Sequence, residues 1–293
     1  MIMMLNNKKT QFTNSYEDKA VYTQYDADKY NIYSQTRNII LEQLSTILQS
    51  GKVEPSVFSG TVVDVGCGTG NALLELSQSY HFSKMYGLEP SSEMLKIAQS
   101  KLPDLIGICD SADNLQQHFA EPIADLLNFH FIFAFLDYKQ LIQQATHVVK
   151  KDGLISICTN SAHSFAYIQE LCKKYWGSLT QRIFKTDIEA VRQKYLNFMP
   201  QNTNELISEL EKNDFEILKY KTIHAQINVK SASEAWRFLY NAGWFTAELK
   251  NSSINKYKVY GLFYCIKFLT LLLKHQLIIE EKLEIIVLTA KKK

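Results

Sequence analysis

Short apolar runs alternate with amphipathic helical patterns through the first half of the chain. The apolar runs predict strands at Val62–Val65, Met85–Leu88, Ile106–Cys109, Ala124–Asn128 and Leu154–Thr159. The amphipathic patterns predict helices at Thr36–Gln49, Asn71–Ser79, Ser91 or Ser92 to Lys101, and Lys139–Lys150. Strands and helices that alternate at this spacing indicate βαβ units and therefore a parallel sheet.

The rhythm changes after residue 160. Residues 161–212 are largely helical in pattern, Phe215–Val229 is a long strand candidate, residues 231–280 are helical and aromatic, and Leu283–Thr289 is a last strand. No Gly/Ser-rich or Pro-rich linker separates these parts. The pattern predicts one domain, 1–293, with a core at about 51–160, 213–229 and 281–293 and a helical lid at about 12–35, 161–212 and 230–280.

One segment, Gly261–Ile279, is almost continuously apolar. Lys267, Lys274 and His275 interrupt it, so it falls short of the roughly 18 apolar residues that a membrane helix needs. The segment predicts a buried lid helix, with a homodimer face and contact with a membrane surface as alternatives. Stable membrane insertion is not expected.

Composition places the chain among ordinary globular proteins and disfavours a nucleic-acid partner. The net charge is only +2, which gives no bulk attraction to phosphates. The five cysteines show no CxxC spacing and no histidine cluster, so neither a zinc site nor any other metal site is expected. Reduced thiols and the lack of a signal-peptide pattern at the N-terminus predict a cytoplasmic protein.

The segment with the clearest chemistry is Thr61-Val-Val-Asp-Val-Gly-Cys-Gly-Thr-Gly70. A strand that ends in a glycine turn before a helix admits a nucleotide-like ligand in α/β proteins. The spacing is D-x-G-x-G-x-G and not the G-x-G-x-x-G of dinucleotide-binding proteins. Asp64 is poorly suited to a phosphate and suits a cationic group such as an ammonium, which disfavours an NAD-dependent oxidoreductase.

Polar residues also follow the second and fourth predicted strands. Glu89 has a carboxylate that can accept hydrogen bonds from the two vicinal hydroxyls of a ribose. His130, in Asn128-Phe-His-Phe131, is the candidate catalytic residue, as a substrate-facing group or base. The alternative is a histidine that simply packs among phenylalanines.

Residues 61–160 resemble the class I S-adenosylmethionine (SAM) dependent methyltransferases, and the glycine turn is similar to that family's first motif. The resemblance implies an α/β fold with a Rossmann-like, seven-stranded, mostly parallel sheet, helices on both faces and a helical lid. The family's sheet has an antiparallel strand in its last pair, and Phe215–Val229 and Leu283–Thr289 supply strands six and seven.

The resemblance also implies a set of SAM-binding residues. Asp64 would anchor the methionine ammonium, the backbone at the turn would approach the ligand, and Glu89 would hold the ribose. Ser111, Asp113 and Gln116 depart from the family's usual Asp-Ala-Glu-x-Leu-Pro segment, which leaves open whether Asp110 or Ser111 faces the adenine amine. The full predicted set along this edge is Asp64, Gly66, Cys67, Gly68, Glu89, Pro90, Asp110, Ser111, Ala112 and Asn128.

Two further segments are similar to parts that close over the ligands in this family. In the N-terminal segment, Tyr22, Tyr25 or Tyr33 would contact the SAM carboxylate and Arg37 would pair with it; the alternative is an aromatic helix packed on the core. Residues 231–245 resemble the insertion of trans-aconitate and malonyl-carrier-protein carboxyl methyltransferases. That likeness implies four substrate-side residues, of which the arginine is equally well explained as a surface charge: Trp236, Arg237, Tyr240 and Trp244.

The sequence therefore predicts a SAM-dependent methyltransferase that moves a methyl group to an oxygen of a small molecule, with nitrogen as the alternative acceptor atom. A catalytically inactive SAM-fold binding protein and a protein methyltransferase remain as alternatives. The Asn-Pro-Pro-Tyr signature of base methylation is absent after strand four, where the chain reads Asn128-Phe-His-Phe131. The motifs do not specify the acceptor molecule.

Overall fold

A computed structural model describes residue 23 and residues 26–164, 198–229 and 279–293. The chain divides into two compact units. The first comprises Met1–Tyr30, Ser164–Lys194 and Ala225–Leu283, and most of it lies outside the described residues. The second comprises Asn31–His163, Tyr195–His224 and Glu284–Lys293, and it holds the predicted cofactor residues that the structure describes. The expected organisation as one domain with a lid stays a prediction.

Seven strands form one sheet in the order β3-β2-β1-β4-β5-β7-β6. The first five pair in parallel and β7 runs antiparallel to β5. This is the predicted Rossmann-like architecture, and the antiparallel strand lies in the last pair as expected. The strand bounds are β1 Thr61–Val65, β2 Lys84–Leu88, β3 Leu105–Ile108, β4 Ala124–His130, β5 Val149–Asn160, β6 Phe215–Val229 and β7 Ile279–Lys292.

Three of the helices begin where a polar side chain accepts a backbone N–H group. Ser91 Oγ accepts from Met94 N–H, Asp137 accepts from Lys139 N–H, and Asn202 Oδ1 accepts from Glu205 N–H. The bounds are α1 Ile32–Gln49, α2 Asn71–Ser79, α3 Ser92–Lys101, α4 Tyr138–Val148 and α5 Thr203–Lys212. Short 3-10 helices cover Pro55–Phe58 and Ala112–His118.

The two faces of the sheet differ in chemistry. One face carries aliphatic and aromatic residues of the central strands, which pack with α4 and α5 through Leu141, Leu206 and Leu210. Alternate positions point to the other face, where α1 lies: Gln43 donates to Val287 O and accepts from Thr289 Oγ1. Helices therefore cover both faces, as predicted.

Most predicted elements are observed with small shifts at their ends. The largest is at β5, which begins at Val149 and not at Leu154 because the chain forms a tight bend within the strand. Asp152 there has a left-handed φ of 63°, and a Cβ on Gly153 would lie 2.9 Å from the carbonyl oxygen of Ala124. The structure also adds a placement that the pattern did not show: α5, at the end of the predicted 161–212 insertion, packs into the core.

Within the described residues, no helix is long and apolar enough to cross a membrane. The apolar segment 261–279 lies outside the described residues except for its last position, so the alternatives stated for it stay predictions.

Candidate cofactor and active site

The glycine turn links the carboxyl end of β1 to α2. Gly66, Gly68 and Gly70 have φ of 75°, 55° and 80°, a region that residues with a Cβ rarely adopt. Gly66 N–H and Cys67 N–H both donate to Leu88 O, at 2.7 and 3.2 Å. The turn is therefore held against the end of β2, with its backbone at the edge of the sheet where open α/β folds bind ligands.

Gly70 shows how little space the turn has. A Cβ on Gly70 would lie 2.9 Å from Ala98 Cβ and 3.1 Å from Ala98 Cα in α3. We therefore expect Gly70→Ala to lower the free energy of unfolding by about 2–4 kcal/mol, from backbone strain and overpacking together. Chemical denaturation measures this change.

Gly51→Ala is the matched control for Gly70→Ala. Gly51 also has a positive φ, 67°, but a Cβ there meets nothing within 4 Å. Gly51→Ala therefore measures only the cost of placing a residue with a Cβ in the left-handed region. We expect it to lower the free energy of unfolding by only about 1 kcal/mol. Equal losses in the two variants would contradict the close packing of the turn against α3.

Cys67 has its side chain beneath the turn and not toward the edge. Its thiol is buried, and a Cβ on Gly87 would lie 2.8 Å from its Sγ. Burial and the neighbouring acids Glu89 and Asp64 raise the pKa of the Cys67 thiol well above its usual value. Only the backbone of this predicted cofactor residue is placed to meet a ligand.

Glu89 ties the turn to the start of α3. Its Oε2 accepts from Gly68 N–H at 3.0 Å and its Oε1 accepts from Ser91 N–H at 2.9 Å, while its own N–H donates to Ile108 O. The side chain is 6 % exposed. A carboxylate oxygen can accept more than one hydrogen bond, so a residue that fixes the backbone in this way is also chemically suited to a diol.

Asp64 is a buried acid close enough to Glu89 for the two charges to interact. It is 2 % exposed, and burial followed by the charge of Glu89 raises its pKa from 3.8 to about 7. The amide of its strand neighbour Asn128 acts in the opposite direction and lowers the pKa. A cation that binds here would relieve the repulsion between the two acids, which suits the predicted ammonium site.

The loop after β3 is held by its own side chains. Asp110 accepts hydrogen bonds from Ser111 N–H, Asn114 Nδ2 and His118 Nε2, at 2.7, 2.8 and 2.9 Å. Ser111 Oγ in turn accepts from Asp113 N–H and donates to Asp113 Oδ2. Cys109 Sγ lies 3.8 Å from Pro90 O, which joins this loop to the one after β2. The predicted Pro90, Asp110 and Ser111 are thus brought to neighbouring loops of one edge.

Ala112 begins the 3-10 helix that follows this loop, and its side chain is buried. The first N–H groups of a helix have no acceptor within the helix. Its backbone is therefore the part of this predicted residue that is suited to a ligand.

The end of β4 carries the two remaining predicted residues. Asn128 is fully buried, and neither Nδ2 nor Oδ1 has a hydrogen-bond partner of normal geometry in the described structure. His130 Nε2 lies 3.1 Å from Ser156 Oγ, and Nδ1 is buried without a partner. Burial, and then the charge of Arg37, lowers the pKa of His130 to about 3, so the ring is neutral near pH 7.

Helix α1 brings two predicted residues toward this end of β4. The ring of Tyr33 packs edge-on against Phe131 with centroids 5.1 Å apart. Arg37 Nε pairs with Glu75 Oε1 at 2.7 Å, which links α1 to α2. The positive charge of Arg37 also lowers the pKa of His130. Both predicted roles, packing and ligand contact, are compatible with this position.

Six predicted residues fall outside the described part of the chain, on the N-terminal segment and the second insertion. They are Tyr22, Tyr25, Trp236, Arg237, Tyr240 and Trp244.

Sequence reasoning missed Ser156 and Glu75. Ser156 is a polar residue inside the apolar run Leu154–Thr159 and is fully buried. A polar side chain at an inward position of a strand is a usable signal, but its partner depends on the register with β4.

The chain is similar to known methyltransferases. Residues 62–153 match the family model described as "Methyltransferase domain". The chain is 26% identical over 164 residues to a demethylmenaquinone methyltransferase of Thermotoga maritima, covering 53% of this chain and 70% of that protein. It is 23% identical over 175 residues to a ubiquinone/menaquinone biosynthesis C-methyltransferase of Campylobacter jejuni, covering 55% and 72%.

A solved structure shares the fold over nearly the whole chain. The cyclopropane synthase MmaA2 of Mycobacterium tuberculosis superimposes with a TM-score of 0.56 at 14% identity, covering 97% of this chain and 98% of that one. The strand order, the glycine turn with its two acids and the matched methyltransferase domain agree with one another. Residues 62–153 therefore carry a methyltransferase domain, and the sheet has the strand order of the class I SAM-dependent methyltransferases.

Proposed function

We propose that this methyltransferase acts on a small molecule and that an oxygen of that molecule receives the methyl group. The observation that supports the proposal is the composition of the edge at β4. There, Asn128 and His130 carry buried polar atoms that make no hydrogen bond of normal geometry among the described residues, and Asn128 lies beside Asp64 of β1. Buried polar atoms are normally paired, so these are suited to a polar ligand.

The residues present fit SAM. Asp64 would hold the ammonium, the carboxylate of Glu89 would accept from the ribose hydroxyls, and the backbone at Ala112 would meet the adenine. The N–H groups of Arg37 other than Nε would pair with the carboxylate, with Tyr33 packed beside them. When bound, SAM supplies an electrophilic methyl group on a sulfonium.

The protein contributes to the reaction mainly by positioning the methyl donor and the acceptor, and less by transferring a proton. Alignment of donor and acceptor supplies much of the rate in such a displacement. His130 is a weak base because burial and Arg37 lower its pKa to about 3. This supports an acceptor that is already anionic when it binds, such as a carboxylate or a phenolate.

A carbon acceptor is the second candidate. The relative from Campylobacter jejuni is named a C-methyltransferase, and the one from Thermotoga maritima a demethylmenaquinone methyltransferase. Carbon next to an enolate or phenolate oxygen is nucleophilic without a strong base, so the same edge would serve it. We propose the cytoplasm as the place of action, in keeping with the free thiols of Cys67, Cys109 and Cys158.

The proposal is tested by incubating the protein with SAM and panels of carboxylic acids, phenols, enolisable diketones, quinols and amines. Mass spectrometry measures the demethylated cofactor, and NMR of the product locates the methyl group on oxygen, carbon or nitrogen. We expect turnover with an acidic oxygen compound. Turnover only with peptides or nucleic acids, or methylation of amines alone, would contradict the proposal.

A further inference from the structure

A row of buried polar side chains crosses the face of the sheet beneath α1. The strand register places Asp64 of β1 beside Asn128 of β4, Asn128 beside Ser156 of β5, and Ser156 beside Thr289 of β7. All four are at most 2 % exposed. We call these four residues the polar row. Polar groups are costly to bury, so a run of four across a sheet calls for partners.

The β7 end of the polar row is satisfied by α1. Thr289 Oγ1 donates to Gln43 Oε1, and Gln43 Nε2 donates to Val287 O. The hydroxyl hydrogen of Thr289 is therefore committed to Gln43. At the middle of the polar row, Ser156 Oγ and His130 Nε2 are hydrogen-bonded at 3.1 Å, and either atom can be the donor.

Two hydrogen arrangements fit the contact between Ser156 and His130. In the first, Nε2–H donates to Ser156 Oγ. The serine hydroxyl hydrogen then has no acceptor among the described residues, and the lone pair of Nδ1 accepts no hydrogen bond from them. In the second, Ser156 donates to Nε2, and the ring hydrogen of the neutral imidazole is on Nδ1. Each arrangement thus leaves one donor without an acceptor among the described residues: the serine O–H in the first and Nδ1–H in the second.

The two arrangements differ in where the unpaired donor lies, and in the second it is on the His130 ring at the carboxyl end of β4, the edge where α/β folds bind ligands. The first leaves a buried hydroxyl donor unpaired within the strand pair, where β4 and β5 enclose it. Unpaired buried donors are rare in folded proteins, so the arrangement whose unpaired donor a bound ligand can satisfy is favoured.

We infer that Ser156 is a positioning residue that holds His130 in the Nδ1–H tautomer, and that this N–H donates to an anionic oxygen of the methyl acceptor. The inference rests on the proposed function and narrows it: the acceptor is an oxyanion, such as a phenolate, an enolate or a carboxylate. His130 binds this oxygen and takes no proton from it.

The bonds and protons of such a transfer balance without a base. The electron pair of the anionic oxygen, or of the carbon conjugated to it, forms the new bond to the methyl carbon. The sulfur–carbon bond breaks and its pair stays on sulfur, which becomes a neutral thioether. Transfer to oxygen releases no proton, and transfer to carbon releases the carbon's own proton to solvent.

The tautomer is tested directly by long-range proton–nitrogen correlation NMR on protein labelled with ¹⁵N at its seven histidines. The spectrum of His130→Asn, which lacks one signal, assigns the ring. We expect a protonated Nδ1 and an unprotonated Nε2, and the reverse pattern would overturn the inference. The measurement needs no acceptor, so it stands even if methyl transfer to small molecules is not found.

The oxyanion is tested in the same spectra with the demethylated cofactor bound. Nitrophenolate, acetylacetonate and benzoate are the anionic probes, and aniline is the neutral nitrogen probe. We expect at least one anion to shift the Nδ1–H resonance downfield while aniline leaves it in place. A response to aniline alone, or to none of the anions, would overturn the second half of the inference.

Variants separate a positioning role from a structural one. We expect Ser156→Ala to raise the KM of an oxyanion acceptor about tenfold with little change in kcat, the cost of an ill-placed hydrogen bond to a charged group. Thr289→Val is the matched control, since it removes an equally buried hydroxyl from the same row without touching His130; KM should not change. A fall in kcat with KM unchanged in Ser156→Ala would overturn the assignment.

Substitution of His130 distinguishes a donor from a base. Asparagine keeps an N–H near the position of Nδ1 and takes up no proton, whereas leucine removes the donor. We expect kcat/KM to fall less than tenfold in His130→Asn and about 100-fold in His130→Leu. Equal and large losses in both would support a base and contradict the inference.

Discussion

Replacing Glu89 with glutamine should weaken SAM binding by about 100-fold and lower the free energy of unfolding by about 1–3 kcal/mol. The two carboxylate oxygens accept from Gly68 N–H and Ser91 N–H, and a glutamine has only one oxygen to offer. Its NH₂ group would face one of these two buried donors. Calorimetry measures the affinity and chemical denaturation the stability.

The control for Glu89→Gln is Glu93→Gln, in the first turn of α3. Glu93 pairs with the exposed Lys96 at 2.6 Å and is itself exposed, so neither affinity nor stability should change by much. Normal SAM affinity in Glu89→Gln would show that the carboxylate only shapes the backbone and does not hold the ribose.

Replacing Asp64 with asparagine should have opposite effects on stability and on cofactor binding. The pKa of Asp64 is raised from 3.8 to about 7 in the folded protein, so the fold favours the protonated acid. The stabilisation from this proton is complete below about pH 4 and is lost as the pH rises through about 7. At about pH 8 the difference amounts to about 4 kcal/mol, from roughly 1.4 kcal/mol per pKa unit.

Because asparagine carries no charge, Asp64→Asn should be more stable than the wild type at about pH 8 and equally stable below about pH 4. Its affinity for SAM should fall at least about 100-fold, since the ammonium loses its counter-charge. Thermal unfolding across pH and calorimetric titration measure the two effects. The control is Asp104→Asn, which replaces an exposed acid just before β3. It should change neither the stability nor the affinity for SAM.

The same pKa predicts how SAM binding by the wild type varies with pH. The ammonium favours ionised Asp64, so binding below about pH 7 must release a proton, and Kd should rise by up to tenfold for each unit of falling pH. Asp64→Asn should remove this slope. A wild-type Kd that is flat between about pH 5 and 7 would place the ammonium elsewhere.

The glycine turn and its place between β1 and α2 were predictable from the sequence because the residues are local to one segment. Asp64, Gly66 and Gly68 lie within five positions, and the strand and helix around them follow from short-range patterns. Glu89 needed only the expectation that β2 lies beside β1, which the parallel pairing confirms.

The roles of Glu89 and His130 within the structure could not be predicted in the same way. The two backbone N–H groups that Glu89 accepts come from different loops, and Ser156 meets His130 only because β4 and β5 pair in one register. Such contacts depend on long-range packing, which leaves no periodic trace in the chain. The environment that lowers the pKa of His130 likewise arises from burial and from Arg37 on a distant helix.

The most direct test of the central claim is calorimetric titration of the wild-type protein, purified free of cofactor, with SAM and with its demethylated product. We expect saturable one-to-one binding of both, with weaker binding in Asp64→Asn and Glu89→Gln and normal binding in Asp104→Asn. No binding of either compound to the folded wild type, or equal binding by all four proteins, would contradict this claim.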